Sequence, residues 1–151
     1  MKYVLFLIGL LFSSNVLAQV VIGFKGKNSI FDNKAFTQYA LAKNLEPVVL
    51  EANQTHKALK ITETVEYYEL YGYSLGAASV LQVVRSAKKP PRLVITIGAY
   101  RGLDLDFRKY SVAFYNFFDY SSVPTSSPGL YIAASHWNIQ QIAVTTLISG
   151  L

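Results

Sequence analysis

Residues 72–76 read Gly-Tyr-Ser-Leu-Gly, which fits the G-x-S-x-G pattern of a serine held between two glycines. This pattern suits a sharp turn from a strand into a helix, where the serine hydroxyl projects above the sheet and the next amide faces a reacting carbonyl. The residues on either side predict that context, with a strand over 67–71 and a helix over 75–87. Ser74 is therefore the candidate nucleophile, and the backbone amide of Leu75 is a candidate donor to an oxyanion.

A serine hydroxyl is a weak nucleophile, so a base must take its proton. In proteins with this turn the base is a histidine that follows the serine and the acid along the chain. The sequence has two histidines, His56 and His136, and only His136 lies after Ser74. It stands between a loop and the last predicted helix, so His136 is the candidate base.

Three aspartates downstream of the serine, Asp104, Asp106 and Asp119, are candidates for the acid that orients the base. Asp119 directly follows a predicted strand over 111–118, which would place it at the carboxyl edge of the sheet beside the serine. The other two belong to the connection that leads into that strand and fit solvated turn carboxylates. The positions favour Asp119.

Short apolar runs alternate along the chain with stretches of helical periodicity, which is typical of βαβ units. The prediction is an α/β fold of about five mostly parallel strands flanked by helices, in one domain over residues 19–151. The predicted strands cover 20–24, 47–50, 67–71, 93–97 and 111–118, the helices cover 33–44, 55–65, 75–87 and 137–147, and residues 124–129 read as a loop.

The first eighteen residues have the layout of a secretory signal peptide. Lys2 precedes an apolar run over residues 3–12, and Val16-Leu17-Ala18 offers a small residue for cleavage. The run is too short to span a bilayer comfortably, although a buried first strand or a retained anchor is the alternative. We expect the mature protein to begin at Gln19 and to be secreted or periplasmic.

The formal charge of +5 comes from scattered lysines and arginines rather than a basic stripe with interleaved aromatics, so no nucleic-acid role is expected. A basic surface could make peripheral contact with an anionic envelope or membrane. With no cysteine and two distant histidines, the sequence predicts no metal site. Residues 21–28 lack the phosphate-loop pattern, so no nucleotide cofactor is expected either.

Four segments together resemble the class 3 (fungal-type) triacylglycerol lipases of the α/β-hydrolase superfamily. Val21-Ile22-Gly23-Phe24-Lys25-Gly26-Lys27-Asn28-Ser29 is similar to that family's strand ending in F-R-G-[TS], and residues 72–78 are similar to its G-H-S-L-G-G-A elbow. Residues 96–102 resemble its T-F-G-x-P-R-x-G segment. Asn116-Phe117-Phe118-Asp119 with Val123-Pro124 resembles its N-x-x-D-x-V-P acid loop.

The resemblance implies a minimal α/β-hydrolase whose triad is Ser74, Asp119 and His136, with the backbone of Lys27 and Leu75 forming the oxyanion hole. Lys27 stands where the family has Thr or Ser, and Tyr73 stands where it has His. The chain has no segment long enough for a substantial lid, so the expectation is a compact esterase without a cofactor, acting on small-molecule or lipid esters.

Two alternatives stay open at this point. One is a catalytically inactive binding protein with the same fold, because a fold alone does not fix function. The other is a thioesterase or peptidase with the same triad, because acyl transfer from an ester, a thioester or an amide uses the same groups.

Overall fold

A single parallel sheet of six strands forms the centre of the computed structural model, which describes residues 18–121 and 126–150. The strands are β1 (Gln19–Phe24), β2 (Glu46–Leu50), β3 (Tyr67–Tyr73), β4 (Leu93–Ile97), β5 (Phe114–Phe118) and β6 (Leu130–Tyr131). Their order across the sheet is β2-β1-β3-β4-β5-β6, and every neighbouring pair is parallel. All carboxyl ends therefore meet at one edge.

Four α-helices cover the two faces of the sheet: α1 (Asn33–Ala42), α2 (Thr55–Thr62), α3 (Gly76–Ser86) and α4 (Ile139–Ser149). Side chains of α2 and α3 share one apolar core with alternate residues of the strands, and side chains of α1 and α4 share a second core on the opposite face. Strands buried on both faces read as the near-continuous apolar runs seen in β1 and β4. The predicted α/β fold of parallel strands flanked by helices is confirmed.

The structure also corrects several predicted boundaries. β3 continues through Tyr73, two residues beyond its predicted end. β6 is a sixth strand directly after the predicted loop over 124–129, at a place where no strand was predicted. The predicted strand over 111–118 is shorter, because Ser111 takes a left-handed φ of 56° that ends a 3₁₀ turn (Phe107–Tyr110) before β5 begins at Phe114.

Two predictions fall on parts of the chain outside the described residues. The predicted signal peptide over 1–18 lies there except for Ala18, and so does the Val123-Pro124 part of the acid loop. Among the residues that are described, no helix is both long and apolar enough to cross a bilayer.

Candidate active site

Ser74 occupies a tight turn between β3 and α3. The strand ends at Tyr73, the helix begins at Gly76, and the serine itself has a φ of 54°, a left-handed conformation that non-glycine residues seldom adopt. Its amide donates to the carbonyl of Ile97 at 2.9 Å, which ties the turn to the neighbouring strand β4. Strained backbone of this kind is held by its surroundings and is common where a side chain must be presented for chemistry.

Gly76 is required at the start of α3 by a close approach to another strand. A Cβ atom at this position would lie 2.3 Å from the carbonyl oxygen of Phe24, at the end of β1. The glycine therefore allows the helix to begin directly over the sheet, as the G-x-S-x-G pattern demands.

The structure brings the three predicted triad residues into one hydrogen-bonded line. Nε2 of His136 lies 3.0 Å from Oγ of Ser74, and Nδ1 of the same ring lies 2.6 Å from Oδ2 of Asp119. The histidine comes from the loop before α4, and the aspartate comes from the residue after β5. These contacts match the geometry of a nucleophile, a base and an orienting acid.

Asp119 is fully buried, and its carboxylate is held by more than the histidine. Its Oδ1 accepts hydrogen bonds from the amide of Ser121 at 2.8 Å and from the hydroxyl of Ser121 at 2.6 Å. Burial alone would raise the pKa of Asp119, but the hydrogen bonds from Ser121 and His136 outweigh it and hold the pKa below its ordinary value. The carboxylate is therefore ionised and faces the imidazole.

The other two candidate acids lie apart from this line. Asp104 pairs with Lys109 at 2.5 Å, and Asp106 pairs with Arg108 at 2.6 Å, both in an exposed turn before β5. These local pairs hold the pKa of each aspartate below its ordinary value. Neither carboxylate contacts His136.

The loop after β1 lies against the nucleophile, where the sequence placed the second oxyanion donor. A Cβ atom at Gly26 would lie 3.1 Å from Cβ of Ser74, and the amide of Gly26 donates to the carbonyl of Ile30 at 2.8 Å, which closes the loop. Lys27, the next residue, begins a short 3₁₀ turn. Lys27 and Leu75 line the same cleft, of about 510 Å³, so both predicted oxyanion residues border one space.

Three residues of this site had no role predicted from the sequence. Ser121 donates to Asp119 from two residues downstream, Tyr73 packs on His136, and Gly98 makes room for the pair of His136 and Asp119. Gly98 and Ser121 do carry a signal, because a glycine directly after an apolar strand and a serine two residues after an aspartate both favour tight turns. Nothing in the sequence predicts that Tyr73 stacks on His136.

The other histidine and the largest described cavity lie away from the triad. His56 lies in α2 and has no part in the site. The part of the chain that the structure describes holds no group of three histidine, cysteine or carboxylate side chains that could bind a metal ion. A larger cavity of about 700 Å³ lies between α1, α4 and β5, and no triad residue lines it.

A fully parallel sheet with helices on both faces, and a serine on the turn between a central strand and its helix, defines an α/β-hydrolase fold. A solved structure with this fold is a member of the α/β serine hydrolases without a lid, from Xanthomonas campestris. It superposes with a TM-score of 0.56 and 16% sequence identity, over 90% of this chain and 83% of that chain. No family model and no curated protein sequence matches the chain.

Proposed function

We propose that this protein is an exported serine esterase that hydrolyses carboxylic esters through an acyl-enzyme. The observation that carries the proposal is the line from Ser74 Oγ through the His136 ring to the buried Asp119 carboxylate, with the serine held in a left-handed turn. The fold of a serine hydrolase without a lid supports the same function. We also propose that the protein is related to the class 3 lipases, because four of its sequence segments are similar to motifs of that family.

In the first half of the reaction, Ser74 Oγ attacks the ester carbonyl carbon while His136 Nε2 takes the hydroxyl proton. The carbonyl oxygen becomes an oxyanion, which the amides of Leu75 and Lys27 would stabilise. When the intermediate collapses, the bond to the alcohol oxygen breaks, and His136 returns its proton to that oxygen. Ser74 is left as the acyl ester.

In the second half, water replaces the alcohol. His136 takes a proton from the water, the resulting oxygen attacks the acyl carbon, and the bond to Ser74 Oγ breaks as His136 returns the proton to the serine. Asp119 stays ionised throughout and stabilises the charged imidazole at Nδ1. The products are the carboxylic acid and the free enzyme, so no cofactor is needed.

The direct experiment combines turnover of p-nitrophenyl acetate with labelling by a serine-directed fluorophosphonate. Ser74→Ala and His136→Ala should each lower turnover by at least about a thousandfold, because triad members act as a unit. Matched controls are Ser86→Ala, at the exposed end of α3, and His56→Ala, the other histidine. Peptide mass analysis should place the phosphonate on Ser74. A folded protein that takes no label and turns over no ester would be the inactive binding protein instead.

Export is the second part of the proposal. β1 begins at Gln19, so cleavage after Ala18 would leave every described strand intact. Among the residues that the structure describes, it would remove the hydrogen bond from the Glu66 amide to the Ala18 carbonyl. Intact-mass analysis of protein recovered outside the cytoplasm should show a chain that starts at Gln19. A mass that retains residues 1–18 would contradict export by a cleaved signal peptide.

A further inference from the structure

The cavity of about 700 Å³ between α1, α4 and β5 lies where the sheet is incompletely covered. β6 pairs only with Phe117 and Phe118, and no other described strand lies along the outer edge of β5 over residues 114–116. The volume is within the range of cavities that hold small-molecule ligands. Because no triad residue lines this cavity, a molecule bound in it is not the ester under attack.

One side of this cavity is apolar. Its apolar residues come from β5, from the segment that leads into β6 and from α4, and they are Phe114, Tyr115, Phe117, Pro128, Leu130 and Leu147. Tyr115 is 53% exposed and Leu130 is 52% exposed, so much of their apolar surface faces solvent. A ligand with an apolar chain would remove this surface from water, which favours binding.

The side of the cavity toward α1 and β3 carries charged groups. Glu69 of β3 is buried, accepts a hydrogen bond from the Tyr39 hydroxyl at 2.5 Å and pairs with Lys43 at 3.2 Å. The charge of Glu69 is therefore compensated within the protein, as buried carboxylates require. An ammonium group has three donors, so Lys43 keeps further donors for a ligand.

Arg92 adds a second cation to the charged side. It directly precedes β4, and its guanidinium lies over the ring of Tyr67, 3.6 Å from the centroid. Within residues 18–121 and 126–150, no carboxylate pairs with this guanidinium. Tyr67 lies two residues before Glu69 on β3, a rise of about 7 Å, so Arg92 and Lys43 lie on the same side of the cavity. The stacked guanidinium keeps its N–H donors for an anion.

We infer that this cavity binds an amphipathic carboxylate, a molecule that has one carboxylate group and an apolar chain. The carboxylate pairs with Arg92 and Lys43, and the chain lies against the apolar side that β5 and α4 form. Two cations and the single carboxylate of Glu69 leave one positive charge in the wall, which one bound carboxylate neutralises. The planar fork of a guanidinium also matches the two oxygens of a carboxylate.

The test compares the binding of decanoate and decylammonium by isothermal titration calorimetry, below the concentration at which either forms micelles. The two probes share the chain and differ in the sign of the charge, so decanoate should bind at least about tenfold more tightly. Arg92→Gln should lower this ratio by at least about threefold, and Arg92→Lys should keep most of it. Arg85→Gln, an exposed arginine of α3 on the opposite face of the sheet, is the matched control and should keep the wild-type ratio. Leu130→Asn should weaken both probes by at least about threefold, because both use the apolar side.

The outcomes are independent of the proposed function, because neither probe contains an ester and no triad residue lines the cavity. No binding of decanoate, or equal binding of the two probes, would overturn the inference. A wild-type ratio in Arg92→Gln, or an unchanged affinity for decanoate in Leu130→Asn, would place the bound molecule elsewhere and also overturn it. Arg92 and Leu130 are exposed, so these variants should fold, and urea unfolding checks that they do.

Discussion

The ring of Tyr73 stacks on the ring of His136, with centroids 5.0 Å apart and planes inclined by 26°. The Tyr73 hydroxyl also donates to the backbone carbonyl of His136 at 2.5 Å. Tyr73 directly precedes Ser74, so adjacent residues of one segment hold the base and carry the nucleophile. Burial raises the pKa of Tyr73 to about 12, so this hydroxyl remains a donor across the range in which an esterase works.

The first prediction concerns that hydrogen bond. Tyr73→Phe keeps the ring and removes the donor, so the loop that carries His136 loses one anchor while the stacking remains. We expect kcat to fall by about three- to tenfold with KM unchanged, the size of one net hydrogen bond acting on the position of the base. Steady-state kinetics with p-nitrophenyl acetate measure both constants.

Tyr71→Phe is the matched control for this prediction. Tyr71 lies two residues earlier on β3, and its hydroxyl bonds Gln140 at 3.0 Å instead of the histidine loop. Tyr71→Phe should lower the free energy of unfolding about as much as Tyr73→Phe does, and it should leave kcat unchanged. Equal losses of kcat in both variants, or a change confined to KM, would show that Tyr73 acts only through stability.

The second prediction concerns Gly98, which follows β4 with a φ of +64°. A Cβ atom there would lie 2.9 Å from Oδ2 of Asp119 and 3.1 Å from Nδ1 of His136, the two atoms that form the hydrogen bond of the triad. Gly98→Ala should therefore displace the imidazole and lower kcat by about a hundredfold, since misplacement on the order of 1 Å costs that much. Kinetics and unfolding by urea should be measured on the same preparation.

Gly102 separates steric contact from backbone strain in this test. Its φ is +93°, also in the left-handed range, but a Cβ atom there would meet nothing within 4 Å. Gly102→Ala therefore carries the conformational penalty without touching the triad. It should lower the free energy of unfolding and leave kcat near the wild-type value. A comparable loss of kcat in both variants would contradict the steric explanation.

The third prediction follows from the lowered pKa of Asp119. Its carboxylate is stabilised in the folded protein, so this stabilisation is present above the ordinary aspartate pKa and is lost as pH falls through the lower native value. We expect the difference in unfolding free energy between the wild type and Asp119→Asn to shrink from about pH 6 to about pH 3. Urea unfolding at several pH values measures it. A difference that does not vary with pH would contradict the lowered pKa.

The fold could be predicted from the sequence wherever burial imposes a pattern. Leu93 to Ile97 is apolar at all but one position because β4 is covered on both faces, and its predicted bounds match the structure. Asp32 caps the start of α1 by accepting a hydrogen bond from the amide of Ala35. β6 gave no such signal, because its two residues, Leu130 and Tyr131, are both exposed at the sheet edge.

The residues of the candidate site also differ in whether the sequence could predict them. Ser74 could be found because its turn needs glycines at fixed positions, and Asp119 because the carboxyl ends of parallel strands share an edge. Tyr73 could not be ranked, since its stacked ring and its hydrogen bond to the His136 carbonyl depend on how two distant segments meet. Such contacts leave no spacing in the sequence.

The final prediction concerns which aspartate orients the base. Asp119→Asn keeps the shape of the side chain but presents an amide to Nδ1 of His136, which favours the wrong imidazole tautomer and should cost about four orders of magnitude in kcat. Asp104→Asn and Asp106→Asn are matched controls, because each removes only a salt bridge with Lys109 or Arg108 in an exposed turn. Exposed pairs contribute little, so both should keep near wild-type kcat and stability. A larger loss of kcat at Asp104 or Asp106 than at Asp119 would show that the acid of the triad comes from the turn before β5, and the hydrogen bond between His136 and Asp119 would then serve the fold alone.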